Sequence, residues 1–271
     1  MTRMLVNVEA LNLRSSPGPA TPETFKFRLH LGQPVDVSGN EQGGWLPVSV
    51  PLAGGSKTGF VKAMLPPGPS TGGSDLPSLR TPAAQSREAL VEAAVAEWVR
   101  FKFGQGKESE DPFFRFVGEM WQAIQLPLDG RDIDVPWSAA AISFMVRKAA
   151  AQAPKYNGFV FAQNHSRYIN DAIKRSGKAA APFWGVRLHE QLPQVGDLIA
   201  RSREQPVTFE QASVSNAFKS HTDVVVSIRP DEVLALGGNV ADSVSITRYA
   251  KTPAGFLQGS GGVFALLVNR A

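Results

Sequence analysis

A stretch rich in Pro, Gly and Ser at residues 66–79 constrains the fold of this chain more than any other feature. Four Pro, three Gly and three Ser fill ten of its 14 positions, and these residues are poor formers of helices and strands. We interpret residues 66–85 as a linker that is partly stiffened by its prolines. The sequence therefore predicts two domains, a small one at residues 1–65 and a larger one at residues 86–271.

Composition excludes several classes of protein. The 271 residues contain no Cys, which excludes disulfide scaffolds, thiolate-ligated metals and a cysteine nucleophile. The net charge of +4 is spread along the chain without a cluster of Lys and Arg, so no nucleic-acid partner is expected. No apolar run is long enough to predict a membrane span. The first residues lack the pattern of a secretory signal, and the compartment stays open.

The first domain consists of short apolar, partly alternating segments that are separated by turn residues. This pattern is typical of a small all-β barrel. The predicted strands lie in residues 4–8, 11–18, 34–38, 45–50 and 58–62.

Three of these segments resemble the signatures of the bacterial SH3-like domain. Residues 11–17 resemble its N-V-R-S-x-P segment, residues 43–48 its G-W-x-x-V strand, and residues 58–61 its closing G-[WY]-V strand. The resemblance covers about residues 4–65 and implies a module that targets peptidoglycan and has no chemistry of its own. Trp45 is its candidate contact to the wall as an exposed aromatic, and the alternative is that Trp45 packs in the core.

The second domain begins with two segments of helical periodicity, residues 87–101 and 113–124, whose acidic residues are expected to face solvent. A third, Ala-rich helix is predicted from Ser138 to about Ala151. The first turn of a helix carries free N–H groups and the positive end of the helix dipole, which stabilise a developing negative charge. Ser138 is therefore a candidate nucleophile, and the alternative is that it only caps the helix.

Three later segments contain candidates for the partners of this serine. His221 lies at the start of a β-branched strand with Asp223 on the same face. Asn239 is predicted in a turn before another strand, and Asp197 in a Gly-Asp turn before a third. If these strands are antiparallel neighbours, His221 and a carboxylate or carboxamide meet at one end of a sheet. A docked Ser138 then completes a nucleophile, a base and an orienting group.

This order of elements resembles the papain-like cell-wall hydrolases of the NlpC/P60 and CHAP families. More closely, residues 90–270 resemble a bacterial family, domain of unknown function 2272 (DUF2272). The motifs that carry this resemblance lie at residues 136–140, 164–169, 195–199, 220–225 and 237–244.

The resemblance implies an α+β, papain-like second domain that hydrolyses an amide bond of peptidoglycan. Ser138 is expected to attack the carbonyl and His221 to take its proton. Asn239, the positional match, is expected to orient His221, with Asp223 and Asp242 as alternatives.

The same motifs supply candidate substrate contacts, namely Trp137, His165, Tyr168 and Asp197. No cofactor is expected. His165, His221 and Asp223 lack the paired spacing of metal ligands, so no metal is expected either.

The departure from the hydrolase pattern is Ser138, which stands where those relatives have Cys. Three interpretations stay open: a serine enzyme, a cysteine enzyme whose nucleophile has been replaced, and a non-catalytic protein that binds or assembles the cell wall. The expected partner is peptidoglycan. An immunity protein, a phage particle or a secretion apparatus is a further partner if the protein is delivered from outside.

Overall fold

The computed structural model describes residues 1–8, 10–18, 21–64 and 77–271. The chain forms two compact units, Met1–Pro82 and Ala83–Ala271. Most of the predicted linker, residues 66–76, lies outside the described residues.

The first unit contains one seven-stranded antiparallel sheet with the strand order β3-β2-β6-β5-β4-β1-β7. All five predicted segments contain a strand. The strands are β1 (Thr2–Val6), β2 (Ala10–Arg14), β3 (Phe25–His30), β4 (Pro34–Val37), β5 (Trp45–Leu52), β6 (Gly55–Lys62) and β7 (Leu79–Arg80).

The strands β3 and β7 are absent from the sequence prediction. In β3, only Leu29 is fully buried, but Phe25, Phe27 and Leu29 alternate with polar residues as in a strand, so the prediction missed a signal that the sequence carries. The two residues of β7 are too few to show a period, and they lie inside the range predicted as linker. They nevertheless pair with β1, where Val6 lies opposite Leu79.

The core of the first unit is formed by the inward side chains of these strands, among them Val6, Leu13 and Leu29. Trp45 is 7% exposed. The guanidinium of Arg14 lies 5.2 Å from the centre of its ring and the ammonium of Lys62 lies 5.5 Å from it. Of the two sequence-based alternatives for Trp45, the structure therefore shows packing, and the exposed aromatic contact is wrong.

The second unit mixes helices with a six-stranded antiparallel sheet of order β12-β11-β10-β9-β13-β8. Its strands are β8 (Phe183–Val186), β9 (Leu198–Ser202), β10 (Ser220–Ile228), β11 (Glu232–Gly237), β12 (Ser245–Ala250) and β13 (Val263–Asn269). Its helices are α1 (Gln85–Arg100), α2 (Phe113–Gln122), α3 (Ser138–Ala150), α4 (His165–Lys174) and α5 (Phe209–Val214).

The helices α1 and α3 pack against each other and over β10 and β11. The small side chains at the start of α3 allow this close approach, and Ala139, Ala140 and Ala141 are buried. The expectation that the acidic residues of the first helices face solvent is wrong for Glu97. Its buried carboxylate pairs with Arg100 at 3.1 Å and with Lys148 of α3 at 3.0 Å, which ties the two helices together.

Across the described residues, we find no helix that combines the length and the apolar character needed to cross a membrane.

Candidate functional site

The start of α3 is held rigidly by the residue that precedes it. Trp137 stacks on Phe101 with ring centres 5.7 Å apart, and its indole N–H donates to the Glu108 carboxylate. Burial raises the pKa of Glu108 although this hydrogen bond acts to lower it. Trp137 is 2% exposed and Ser138 is 3% exposed, so burial does not separate the two, and a substrate contact through Trp137 stays a prediction. The indole positions the start of the helix.

Ser138 is the first residue of α3, as the sequence predicts. The N–H of Ala141 donates to the carbonyl of Trp137. The N–H groups of the preceding residues have no acceptor within the helix, because the first turn of any helix lacks one. These donors and the helix dipole favour a negative charge next to the Ser138 hydroxyl.

The Ser138 hydroxyl forms a hydrogen bond with His165, and both residues are buried. The distance from Ser138 Oγ to His165 Nε2 is 2.7 Å. His165 is the first residue of α4, and its other nitrogen, Nδ1, lies 2.8 Å from the hydroxyl of Thr222. The hydroxyl of Tyr168 contacts both His165 Nδ1 and Thr222. The imidazole is therefore fixed from both sides.

This geometry differs from the sequence prediction, in which His221 is the partner of Ser138. The structure gives the hydrogen bond to His165, which the sequence analysis treats as a substrate contact. His165 comes from a helix that only the tertiary fold brings to the start of α3. The sequence did carry a local signal for the contact between His165 and Tyr168, because residues three positions apart lie on the same face of a helix.

A second histidine lies beside the first, with its own carboxylate. His221 and Asp223 share a face of β10, and His221 Nε2 lies 2.8 Å from Asp223 Oδ1. Tyr249 donates to the other carboxylate oxygen. The rings of His165 and His221 are 5.1 Å apart. His221 Nδ1 is buried and has no hydrogen-bond partner.

The strand that carries His221, β10, is the antiparallel neighbour of β9, which follows Asp197. The strand that follows Asn239, β12, pairs with β11 and not with β10, so the predicted arrangement of three neighbouring strands is only partly met. Asp223 is the group that reaches His221. Among the described residues, neither Asn239 nor Asp242 forms a side-chain hydrogen bond with His221, so the positional match at Asn239 does not supply the orienting contact. Asn239 lies in the turn after β11 with a φ of 53°.

A glycine on β11 makes room for the His221–Asp223 pair. A Cβ atom at Gly237 would lie 1.7 Å from Asp223 Oδ1 and 3.0 Å from His221 Nε2. Any larger residue at this position would displace the carboxylate. The glycine therefore allows two residues of one strand to form the pair.

Burial and neighbouring charges lower the pKa of a group at each end of the site. Burial, together with the charges of His221, Arg203 and Arg201, lowers the pKa of His165 well below its usual value. Burial opposes the ionisation of Asp223, but attraction to His221 and the hydrogen bonds from His221 and Tyr249 lower its pKa overall. The site therefore holds a neutral imidazole at Ser138 and an ionised carboxylate behind His221.

Ser138 and His165 line a cleft with a volume of about 520 Å³. A second cavity of about 490 Å³ shares four lining residues with it, so that the two form one groove. The shared residues are Arg203, Glu204, Phe218 and Lys219.

Asp197, a predicted substrate contact, is fully buried and plays a structural role. It pairs with Arg87 of α1 at 2.7 Å and accepts hydrogen bonds from the N–H groups of Asn269 and Gln194. Burial raises its pKa, although Arg87 acts in the opposite direction. The prediction of substrate binding by Asp197 is therefore wrong. Its ion pair and hydrogen bonds hold the turn before β9 against α1 and β13.

Tyr168 is also enclosed, so it acts on His165 and not directly on substrate.

Three residues that form hydrogen bonds in the site were not predicted from the sequence: Glu108, Thr222 and Tyr249. Each contacts its partner across a large separation in sequence, which leaves no local pattern. Across the described ranges, no group of three His, Asp or Glu side chains comes together as a metal site.

Comparison with known proteins supports the resemblance to DUF2272. The model of a family described as "Uncharacterized protein conserved in bacteria (DUF2272)" matches residues 97–265. Among solved structures, the chain is similar to that of NlpC2 from Trichomonas vaginalis, with 11% identity and a TM-score of 0.28. That similarity covers 99% of this chain and 73% of the other. None of the curated proteins that were compared with the chain matches it.

Proposed function

The chain belongs to the bacterial family DUF2272, and we propose that it is a hydrolase that cleaves an amide bond of peptidoglycan with Ser138 as its nucleophile. The observation that carries this proposal is the 2.7 Å hydrogen bond between Ser138 Oγ and His165 Nε2. It lies at a helix start and lines a cleft. A serine needs such an adjacent base, because its hydroxyl is a weak nucleophile at its ordinary pKa.

The reaction begins when Ser138 Oγ attacks the amide carbonyl and its proton moves to His165 Nε2. For this step the other imidazole nitrogen, Nδ1, carries a proton that it donates to Thr222. The carbonyl oxygen gains the negative charge and is stabilised by the free N–H groups of the first turn of α3. His165 then protonates the leaving amine as the C–N bond breaks.

The ester formed on Ser138 is then hydrolysed by water. His165 accepts the proton of the attacking water, and that proton passes to Ser138 Oγ when the ester bond breaks. The products are an amine and a carboxylic acid, and the enzyme returns to its starting state. Because His165 is neutral before each step, it can serve as the base twice.

His221 is the second candidate base of this site. Its Nε2 is held by the ionised Asp223, and its Nδ1 is buried without a partner. A Ser–His–Asp arrangement through His221 would follow the papain-like order of elements, with the nucleophile on a helix and the base on a neighbouring strand. The contact to Ser138 favours His165, and separate variants of the two histidines distinguish the roles.

We also propose that the first unit is an SH3-like module that binds the cell wall. Its support is a small antiparallel sheet with strands at the three segments that resemble SH3-like signatures.

For the second unit we propose a papain-like fold. Its support is a nucleophile-bearing helix that packs over an antiparallel sheet.

The test is to incubate the purified chain with peptidoglycan sacculi and identify the soluble products by mass spectrometry. We expect new amine and carboxylate termini with the wild type and none with Ser138→Ala. Ser176→Ala is the matched control, because Ser176 is exposed and lines neither cavity of the groove. Sedimentation with sacculi without new termini would instead support the non-catalytic wall-binding protein.

A further inference from the structure

We propose that Arg203 forms a carboxylate-binding subsite next to Ser138, so that the preferred substrate carries a free carboxylate near the bond that is cut. This inference rests on the proposed function, because it assigns substrate recognition to the same groove. Arg203 lines the cleft that contains Ser138 and His165, and it also lines the adjoining cavity. It therefore stands where the two halves of the groove meet.

Within the part of the chain that the structure describes, the carboxylate that acts on Arg203 is Asp223, and its two oxygens are already bound by His221 and Tyr249. No carboxylate forms an ion pair with Arg203 there, and no hydrogen bond is formed by its guanidinium. The other cation shared by the two cavities is different, since the ammonium of Lys219 lies 2.7 Å from the Glu204 carboxylate. A half-buried guanidinium without an acceptor keeps its donors available for a ligand.

A neighbouring arginine adds to this positive charge. Arg201 lies two residues earlier, at the end of β9, and its Nε is buried without a hydrogen-bond partner. Burial and repulsion from Arg201 lower the pKa of Arg203. Asp223 offsets part of this repulsion, since it interacts with both arginines, and a bound carboxylate would offset more of it and stabilise the wall of the groove. A guanidinium binds a carboxylate through two parallel hydrogen bonds.

The acidic residues of the cleft do not supply that anion. Glu204 is engaged by Lys219, and Asp134 is exposed on the loop before α3. The peptides of peptidoglycan carry free carboxylates, and in some walls these are amidated. The subsite therefore predicts discrimination between the acid and amide forms of one peptide.

The experiment measures binding in the Ser138→Ala background, so that its outcome does not depend on turnover. The probe is a disaccharide-tetrapeptide fragment of peptidoglycan, compared with the same fragment after its carboxylates are converted to carboxamides. We expect the free acid to bind roughly tenfold more tightly or better, the size expected for hydrogen bonds to a charged group. Adding Arg203→Gln should abolish that difference.

Lys219→Gln is the matched control, because it removes one positive charge from the same wall. It should leave most of the discrimination in place, and Arg203→Lys should restore part of it. Equal effects of Lys219→Gln and Arg203→Gln, or discrimination that persists without Arg203, would overturn the subsite. If the acid is preferred through Arg203 but the wild type cleaves neither fragment, the subsite stands and the proposed hydrolase fails.

Discussion

Ser138 shares its surroundings with two buried histidines that differ in their hydrogen bonds. His165 contacts the serine through Nε2, and Thr222 and Tyr168 surround its Nδ1. His221 contacts Asp223 through Nε2 and leaves Nδ1 without a partner. A neutral imidazole that touches the nucleophile is the better base for the first proton transfer.

Replacing His165 should therefore remove most of the activity. We expect His165→Gln to lower kcat on a soluble peptidoglycan fragment by about a hundred- to ten-thousand-fold, the usual contribution of a general base. His189→Gln is the control, because His189 is exposed and lies outside the groove residues. A kcat within twofold of the wild type for His165→Gln, with a large loss for His221→Gln, would assign the base to His221.

The pH dependence of the reaction follows from the lowered pKa of His165. The base acts only when it is neutral, and a lowered pKa keeps it neutral to a more acidic pH. We expect the acid limb of kcat/KM to have its midpoint below the ordinary histidine value of about 6.5. A pH series of initial rates measures it. A midpoint at or above 6.5 would contradict His165 as the base.

At the scale of elements, the strand β11 leaves no room for a side chain at Gly237, beside the His221–Asp223 pair. We expect Gly237→Ala to lower the free energy of unfolding by about 1–3 kcal/mol, the usual cost of overpacking. Activity should fall further than stability alone explains, because Asp223 must move away from His221. Chemical unfolding and kcat measure the two effects. Gly158→Ala is the control, since a Cβ at Gly158 meets no atom closer than 3.4 Å, and equal effects would contradict the account.

The elements of the site differed in how far the sequence could predict them. The helix start at Ser138 was predictable, because Pro136 and the Ala-rich run are local signals. The shared face of His221 and Asp223 followed from strand alternation. The contact between Ser138 and His165 was not predictable, because it depends on how α3 and α4 pack.

The same distinction applies to the fold. The strands with alternating buried residues, such as those at Trp45 and Leu11, were predicted from their period. The two-residue strand β7 is too short to show a period, whereas β3 was missed although Phe25, Phe27 and Leu29 alternate with polar residues. Asp197 was misassigned for a different reason. Its turn was recognised, but its burial against Arg87 is a tertiary contact.

At the scale of the whole molecule, we assign cell-wall binding and amide-bond cleavage to different units. We expect Ser138→Ala to sediment with sacculi as the wild type does, while the fall in turbidity of the sacculi suspension disappears. The physical reason is that Ser138 lies within Ala83–Ala271, whereas wall binding is proposed for Met1–Pro82. A variant that loses both sedimentation and turbidity loss would contradict this division, provided that its thermal unfolding matches that of the wild type.

The central claim is that position 138 activates a nucleophile, and alkylation of Ser138→Cys tests it most directly. The chain has no Cys, so the introduced thiol is the only thiol that iodoacetamide can alkylate. We predict that its rate follows a pKa well below the ordinary thiol value of about 8.5, because a helix start and an adjacent imidazole stabilise a thiolate. Adding His165→Gln should raise that pKa. A pKa near 8.5 that does not respond to His165→Gln would contradict the account.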